Sequence, residues 1–276
     1  MNIVQSIVLG VVEGLTEFLP VSSTGHLTIT EELLGLSVDD ASVTAFTAVV
    51  QFGAIVAVLL HFRDELLALV RAGVRGLASA EARRAPEWRW AWAIVAGSVP
   101  IGVVGLAAKS VIEGPLRSLW VVGVALIVWS FAMIAAERMA RATAEVAPGA
   151  ERPDPSTRQI VAVGLAQCIA LIPGVSRSGA TISGGLALGL DRVTATRLSF
   201  LLCIPALTGA GLLELKDALS GGVGVAPTLV GTAVAFVVAY ASIAWLLRFV
   251  AHHSIAAFAP YRIAVGALTL GVLAVG

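Results

Sequence analysis

Glu13-Gly14-Leu15-Thr16-Glu17-Phe18-Leu19-Pro20-Val21-Ser22-Ser23-Thr24-Gly25-His26 is the stretch on which the fold turns. It sets two carboxylates, a proline break and a run of hydroxyls inside an otherwise apolar region. Residues 3–18 would make about 24 Å of helix before Pro20 stops it. Residues 26–36 are shorter still and already hold Glu31 and Glu32. Neither arm crosses a hydrocarbon core about 30 Å thick. The pair reads as a re-entrant hairpin over residues 2–36, its loop ending inside a membrane. Irregular backbone at that depth needs protein or a wet cavity around it.

A second hairpin repeats the pattern over residues 159–190. An apolar arm at 159–172 is stopped by Pro173-Gly174, and a short arm follows at 181–190. Pro20-Val21-Ser22-Ser23-Thr24-Gly25 aligns with Pro173-Gly174-Val175-Ser176-Arg177-Ser178-Gly179, allowing one inserted residue. Val43-Thr44-Ala45 likewise matches Val193-Thr194-Ala195, each shortly after an aspartate, Asp40 and Asp191. Six further segments are long and apolar enough to span: 43–61, 90–108, 118–136, 195–213, 228–247 and 257–275. The expected fold is thus an all-α integral membrane domain with six transmembrane helices and two re-entrant hairpins. Its repeats cover about 1–140 and 158–276. Each holds one hairpin and three crossings, an odd number, so the second copy is expected inverted. Inverted repeats place their shared site near the midplane.

Composition agrees with lipid as the main solvent. Of 276 residues 58% are hydrophobic and only 13% charged, against about 25% charged in soluble domains. Zero net charge leaves no basic footprint for nucleic acid. Cys168 and Cys203 lie in apolar segments and read as inert thiols rather than a disulfide. No charged leader or small-residue cleavage site opens the chain, so Met1 is read as part of the mature protein. Arginine distribution gives orientation. Arg63, Arg71, Arg75, Arg83, Arg84 and Arg89 follow the first span, and Arg138, Arg141, Arg152 and Arg158 follow the third. Those loops read as cytoplasmic, which puts both termini and the mouth of the first hairpin outside.

Glu13 and Glu17 stand four apart on one helix face, about 5–6 Å apart at Cβ. Carboxylates so close repel unless a cation or proton lies between them. Mg²⁺ and Ca²⁺ favour oxygen ligands of this kind. The second hairpin offers Gly174, Ser176, Arg177, Ser178, Gly179 and Thr181 around a Pro-Gly turn before a helix start, a cradle suited to an anion. Ser22, Thr24 and Ser178 read two ways, as ligands or as helix caps. His26 lies one helical turn past Ser23, within reach as a base. Two glutamates and an arginine would together cost roughly 8–10 kcal/mol to insert, so a purely structural role is a poor explanation. Metal ligands, an anion clamp, hydroxyls and an imidazole make up the equipment of phosphoryl transfer. A carrier with inverted repeats and midplane carboxylates is the rival class. A polyprenyl-phosphate flippase would need the same clamp, but has less use for Ser23 and His26.

The segments EGLTEFLPVSSTGH and PGVSRSGATISGG resemble the two signature motifs of the undecaprenyl-diphosphate phosphatase family, the bacitracin-resistance membrane phosphatases. Both motifs are long, stand in the expected order, and show no departure. The resemblance implies hydrolysis of a C55 polyprenyl diphosphate to the monophosphate and inorganic phosphate. That recycles the lipid carrier of peptidoglycan and other envelope polymers. It also implies a divalent metal, a bacterial inner-membrane location with the site open to the outer face, and a capacity to form homodimers. For the chemistry, Arg177 with Gly174, Ser176, Ser178, Gly179 and Thr181 would hold the diphosphate, beside Ser22 and Thr24. Glu13 and Glu17 would hold the metal, or one of them would act as acid or base. Ser23 would attack phosphorus with His26 or Glu17 as base, with His26 or metal-bound water as alternative nucleophiles.

Overall fold

In a computed structural model, which describes residues 1–37, 40–146, 154–220 and 224–275, the chain is helical, with no strand among the described residues. The first hairpin is α1 (Ile3–Thr16) and α2 (Ser23–Leu33), followed by α3 (Ala41–His61), α4 (Arg63–Ala78), α5 (Pro86–Ala107), the short α6 (Lys109–Glu113) and α7 (Leu119–Val146). The second hairpin is α8 (Thr157–Ala166), a 3-10 turn (Gln167–Leu171) and α9 (Arg177–Ala187). It leads into α10 (Arg192–Ser220), α11 (Val225–His252) and α12 (Ala259–Val275). Among the described residues six helical segments are long and apolar enough to cross a membrane: they lie in α3, α5, α7, α10, α11, and α12 with the turn before it. These are the six expected spans, extended by a few residues at most ends. α1 and α2, with 14 and 11 residues, measure about 21 and 16 Å and fall short of a crossing.

The region after the first span differs from expectation. The Arg-rich stretch after the first span, read as a loop, is mostly helical over residues 71–89. Asp64 and Glu65 in the first turn of α4 suit its positive end, and Arg83 folds back to donate to the carbonyls of Gly76 (2.6 Å) and Leu77 (3.2 Å). Leu67, Val70, Val74 and Leu77 stay exposed along one side, an amphipathic pattern that polar loop composition concealed. Arg152 falls outside the described residues.

Matching details recur in the two hairpins at one constant interval along the chain. Asn2 and Ser156 each form a capping box, with Gln5 and Gln159. The same two glutamines donate through Nε2 to Leu34 O and Leu188 O. Ser22 and Ser176 both take positive φ, 79° and 77°, and each accepts a bond from the amide three residues on. Gly35 and Gly189 end the second arms with φ of 68° and 85°. Each first arm packs on the middle span of the other half, α1 on α11 and α8 on α5. Gly10 makes the first approach tight: a Cβ there would sit 2.5 Å from Gly231 O. Gly164 meets Gly97 O in the equivalent way. Small residues at these crossings let backbones close in where lipid supplies no hydrophobic drive.

Candidate functional site

Both hairpin turns end at one place. Ser178 Oγ donates to Leu19 O at 2.9 Å, stitching the second turn to the first. A Cβ on Gly25 would lie 3.8 Å from Gly174 Cα, so the starts of α2 and the second turn are also close. Helix N-termini carry free amides and partial positive charge, and here α2 and α9 bring two of them together.

Arg177 is the central cation. Its Nη2 donates to Glu17 Oε1 at 2.8 Å, while Nε and Nη1 are buried without a partner. Glu17 Oε2 in turn accepts a 2.5 Å bond from Ser23 Oγ. Arg177, Glu17 and Ser23 therefore form one chain of contacts across the two hairpins. Glu13 lies one turn before Glu17, only 2% exposed, with Oε1 unpartnered. It lines a cavity of about 230 Å³ together with Ser23, Thr24, Thr28, Glu31 and Arg117. A buried carboxylate in the cavity wall, beside hydroxyls, suits a hard oxygen-seeking cation. Among the described residues no three His, Cys, Asp or Glu side chains converge, so remaining ligands would come from phosphate and water.

Several expected ligands are engaged elsewhere. Ser22 and Ser176 cap α2 and α9 through Gly25 N–H and Gly179 N–H, so neither cap hydroxyl nor the Gly179 amide faces the cavity as an anion ligand. Thr181 is fully buried and bonds Arg177 O, Ser178 O and Ser199 Oγ. Of the hydroxyls read two ways, Ser22 is a cap, Ser178 is an interhairpin tie, and Thr24 lines the cavity. Both ring nitrogens of His26 have partners. Its Nδ1 lies 2.8 Å from Ser22 O and its Nε2 2.8 Å from Tyr261 Oη, and its ring stacks on Tyr261. In this geometry His26 braces α2 against α12 through these contacts.

Arg262 escaped the sequence reading entirely. It is fully buried in α12 and reaches Pro20 O (2.9 Å), Gly174 O (2.9 Å), Val175 O (3.1 Å) and Ser130 Oγ (3.2 Å). One guanidinium thus satisfies carbonyls of both broken turns. The signal was available: a lone arginine inside an apolar span costs roughly 2.5–3.5 kcal/mol to insert and needs a reason.

Residues 6–268 match the family model described as bacitracin resistance protein BacA. A Streptomyces avermitilis protein named undecaprenyl-diphosphatase 1 is 56% identical over 277 residues, covering 100% of this chain and 98% of the relative. The undecaprenyl-diphosphatase of Acidothermus cellulolyticus is 52% identical, and undecaprenyl-diphosphatase 1 of Streptomyces coelicolor 55%, with the same coverage.

Proposed function

We propose, since the chain belongs to the BacA family of bacitracin resistance proteins, that the cavity lined by Glu13, Ser23, Arg117 and Pro173 is where it dephosphorylates undecaprenyl diphosphate. The protein is a multi-pass membrane phosphatase, and its product is the lipid monophosphate used again in envelope synthesis. The observation that carries the site is the contact chain from Arg177 through Glu17 to Ser23. Its two hairpins are read as re-entrant arms of an inverted repeat, supported by the matched caps and crossings. The cavity is read as open to the outer face, on the arginine distribution.

Arg177, whose Nε and Nη1 are buried without a partner, would turn to the terminal phosphate when the diphosphate binds, with the amides at the start of α2 and α9 adding to the anion site. Ser23 Oγ attacks the terminal phosphorus, and the bond to the bridging oxygen breaks. The lipid monophosphate leaves as the serine proton passes to Glu17. Water then attacks the phosphoserine, Glu17 returns its proton to Ser23, and the water proton departs with orthophosphate. The hydrogen bond from Ser23 to Glu17 favours Glu17 as the proton acceptor, since both nitrogens of His26 have other partners. Glu13, with Glu17 beside it, would hold a divalent cation that neutralises charge on the diphosphate oxygens. Trapping labelled phosphate on the protein tests the route. Label on the wild type and none on Ser23→Ala supports it, and a fully active Ser23→Ala overturns it.

A further inference from the structure

Two apolar grooves open on the surface of the protein. One, about 360 Å³, lies among α4, α5 and α10 and has no residue in common with the polar cavity. The other, about 500 Å³, lies between α7 and the second hairpin and is lined by Trp120, Val124, Val128, Ile169, Ile172 and Val175 among others. Its lining is apolar side chains throughout.

The second groove is coupled to the polar cavity by a single turn. Ile172 and Val175 line the groove, and Pro173 between them lines the cavity that holds Glu13 and Ser23. Val175 is 4% exposed and Ala125 8%, which makes a firm floor, while Val124 and Val128 at 49% and 59% form an open wall. A diphosphate seated in the cavity therefore has an apolar channel within one residue of it. We propose that the polyprenyl chain of the substrate leaves the cavity over the Pro173-Gly174-Val175 turn and lies in this groove. The assignment rests on reading the polar cavity as the diphosphate site. From Trp120 to Val128, α7 rises about 12 Å, so the groove takes only the part of the chain nearest the diphosphate. The remainder runs into the bilayer. Wall contact then favours prenyl diphosphates over tailless anions that fit the same cavity.

The test measures equilibrium binding of a non-hydrolysable long-chain polyprenyl methylenediphosphonate to the full-length protein in detergent, with Mg²⁺ present. Val124→Trp and Val128→Trp fill the groove from its exposed wall, and Val103→Trp places the same bulk on an exposed site of α5. The groove variants are expected to bind the lipid about tenfold more weakly, the loss of roughly 60 Å² of apolar contact. Competition by inorganic phosphate should stay as in the wild type in all three. Unchanged lipid binding in both groove variants, or an equal loss in Val103→Trp, overturns the proposal and leaves ordinary bilayer lipid over the groove. Wild-type protein that binds the analogue yet releases no phosphate from the natural diphosphate would defeat the phosphatase reading alone.

Discussion

The guanidinium of Arg177 and the carboxylate of Glu17 meet at 2.8 Å although they come from different hairpins. Their side chains are only 12% and 5% exposed, so the pair is shielded from water and holds the two turns in register. It also keeps Glu17 Oε2 turned to Ser23. Lysine keeps the charge but not the fork, and one ammonium cannot hold Glu17 and grip phosphate in the same geometry. Arg177→Lys is expected to lower kcat/KM by about 100-fold. An activity within twofold of wild type would remove Arg177 from the anion site.

Ser23 and Glu17 act as a unit in the proposed route. Glu17→Gln keeps shape and loses the proton acceptor, so it should match Ser23→Ala in activity, and the double variant should be no worse than either. Rapid-quench phosphate release on the three proteins checks this. Losses that simply multiply would separate the two residues.

Arg262 is expected to matter first for stability. Replacing it with Met leaves Pro20 O, Gly174 O and Val175 O without this donor, which should destabilise the protein by about 3 kcal/mol. Thermal unfolding in detergent reads this directly. A loss under about 0.5 kcal/mol would show that the turns hold themselves.

The paired strained serines give a subtler expectation. Positive φ costs a non-glycine residue about 1–3 kcal/mol, and the cap bond returns about 1 kcal/mol. Ser176→Gly should therefore be close to neutral, whereas Ser176→Ala loses the cap and keeps the strain. Ser22 should follow the same order. Unfolding midpoints with Ala at or above Gly would contradict the backbone conformation described.

Charges in an apolar setting are what made the site legible. Glu13, Glu17 and Arg177 stand out because burying them is costly; Glu17 and Arg177 pair across the hairpins, and Glu13 lines the cavity. The short apolar arms broken by Pro20 and Pro173 were equally plain. The hydroxyls were harder, because whether Ser22, Ser176 or Thr181 faces a ligand or its own backbone depends on φ and on neighbours such as Ser199. The partner of His26 was hidden for a related reason: spacing along α2 places it near Ser23 but does not show Tyr261 arriving from a distant span. α4 was hidden by its arginines, and Arg262 by the length of the apolar stretch around it.

Phosphate release from undecaprenyl diphosphate by the purified protein tests the central claim most directly. It would be run with Mg²⁺ or Ca²⁺, with chelator, and with Glu17→Ala and Glu13→Gln beside the wild type. Release that needs the cation and is lost in both variants is the predicted result. Release that continues undiminished in Glu17→Ala would place the chemistry outside the contact chain from Arg177 through Glu17 to Ser23.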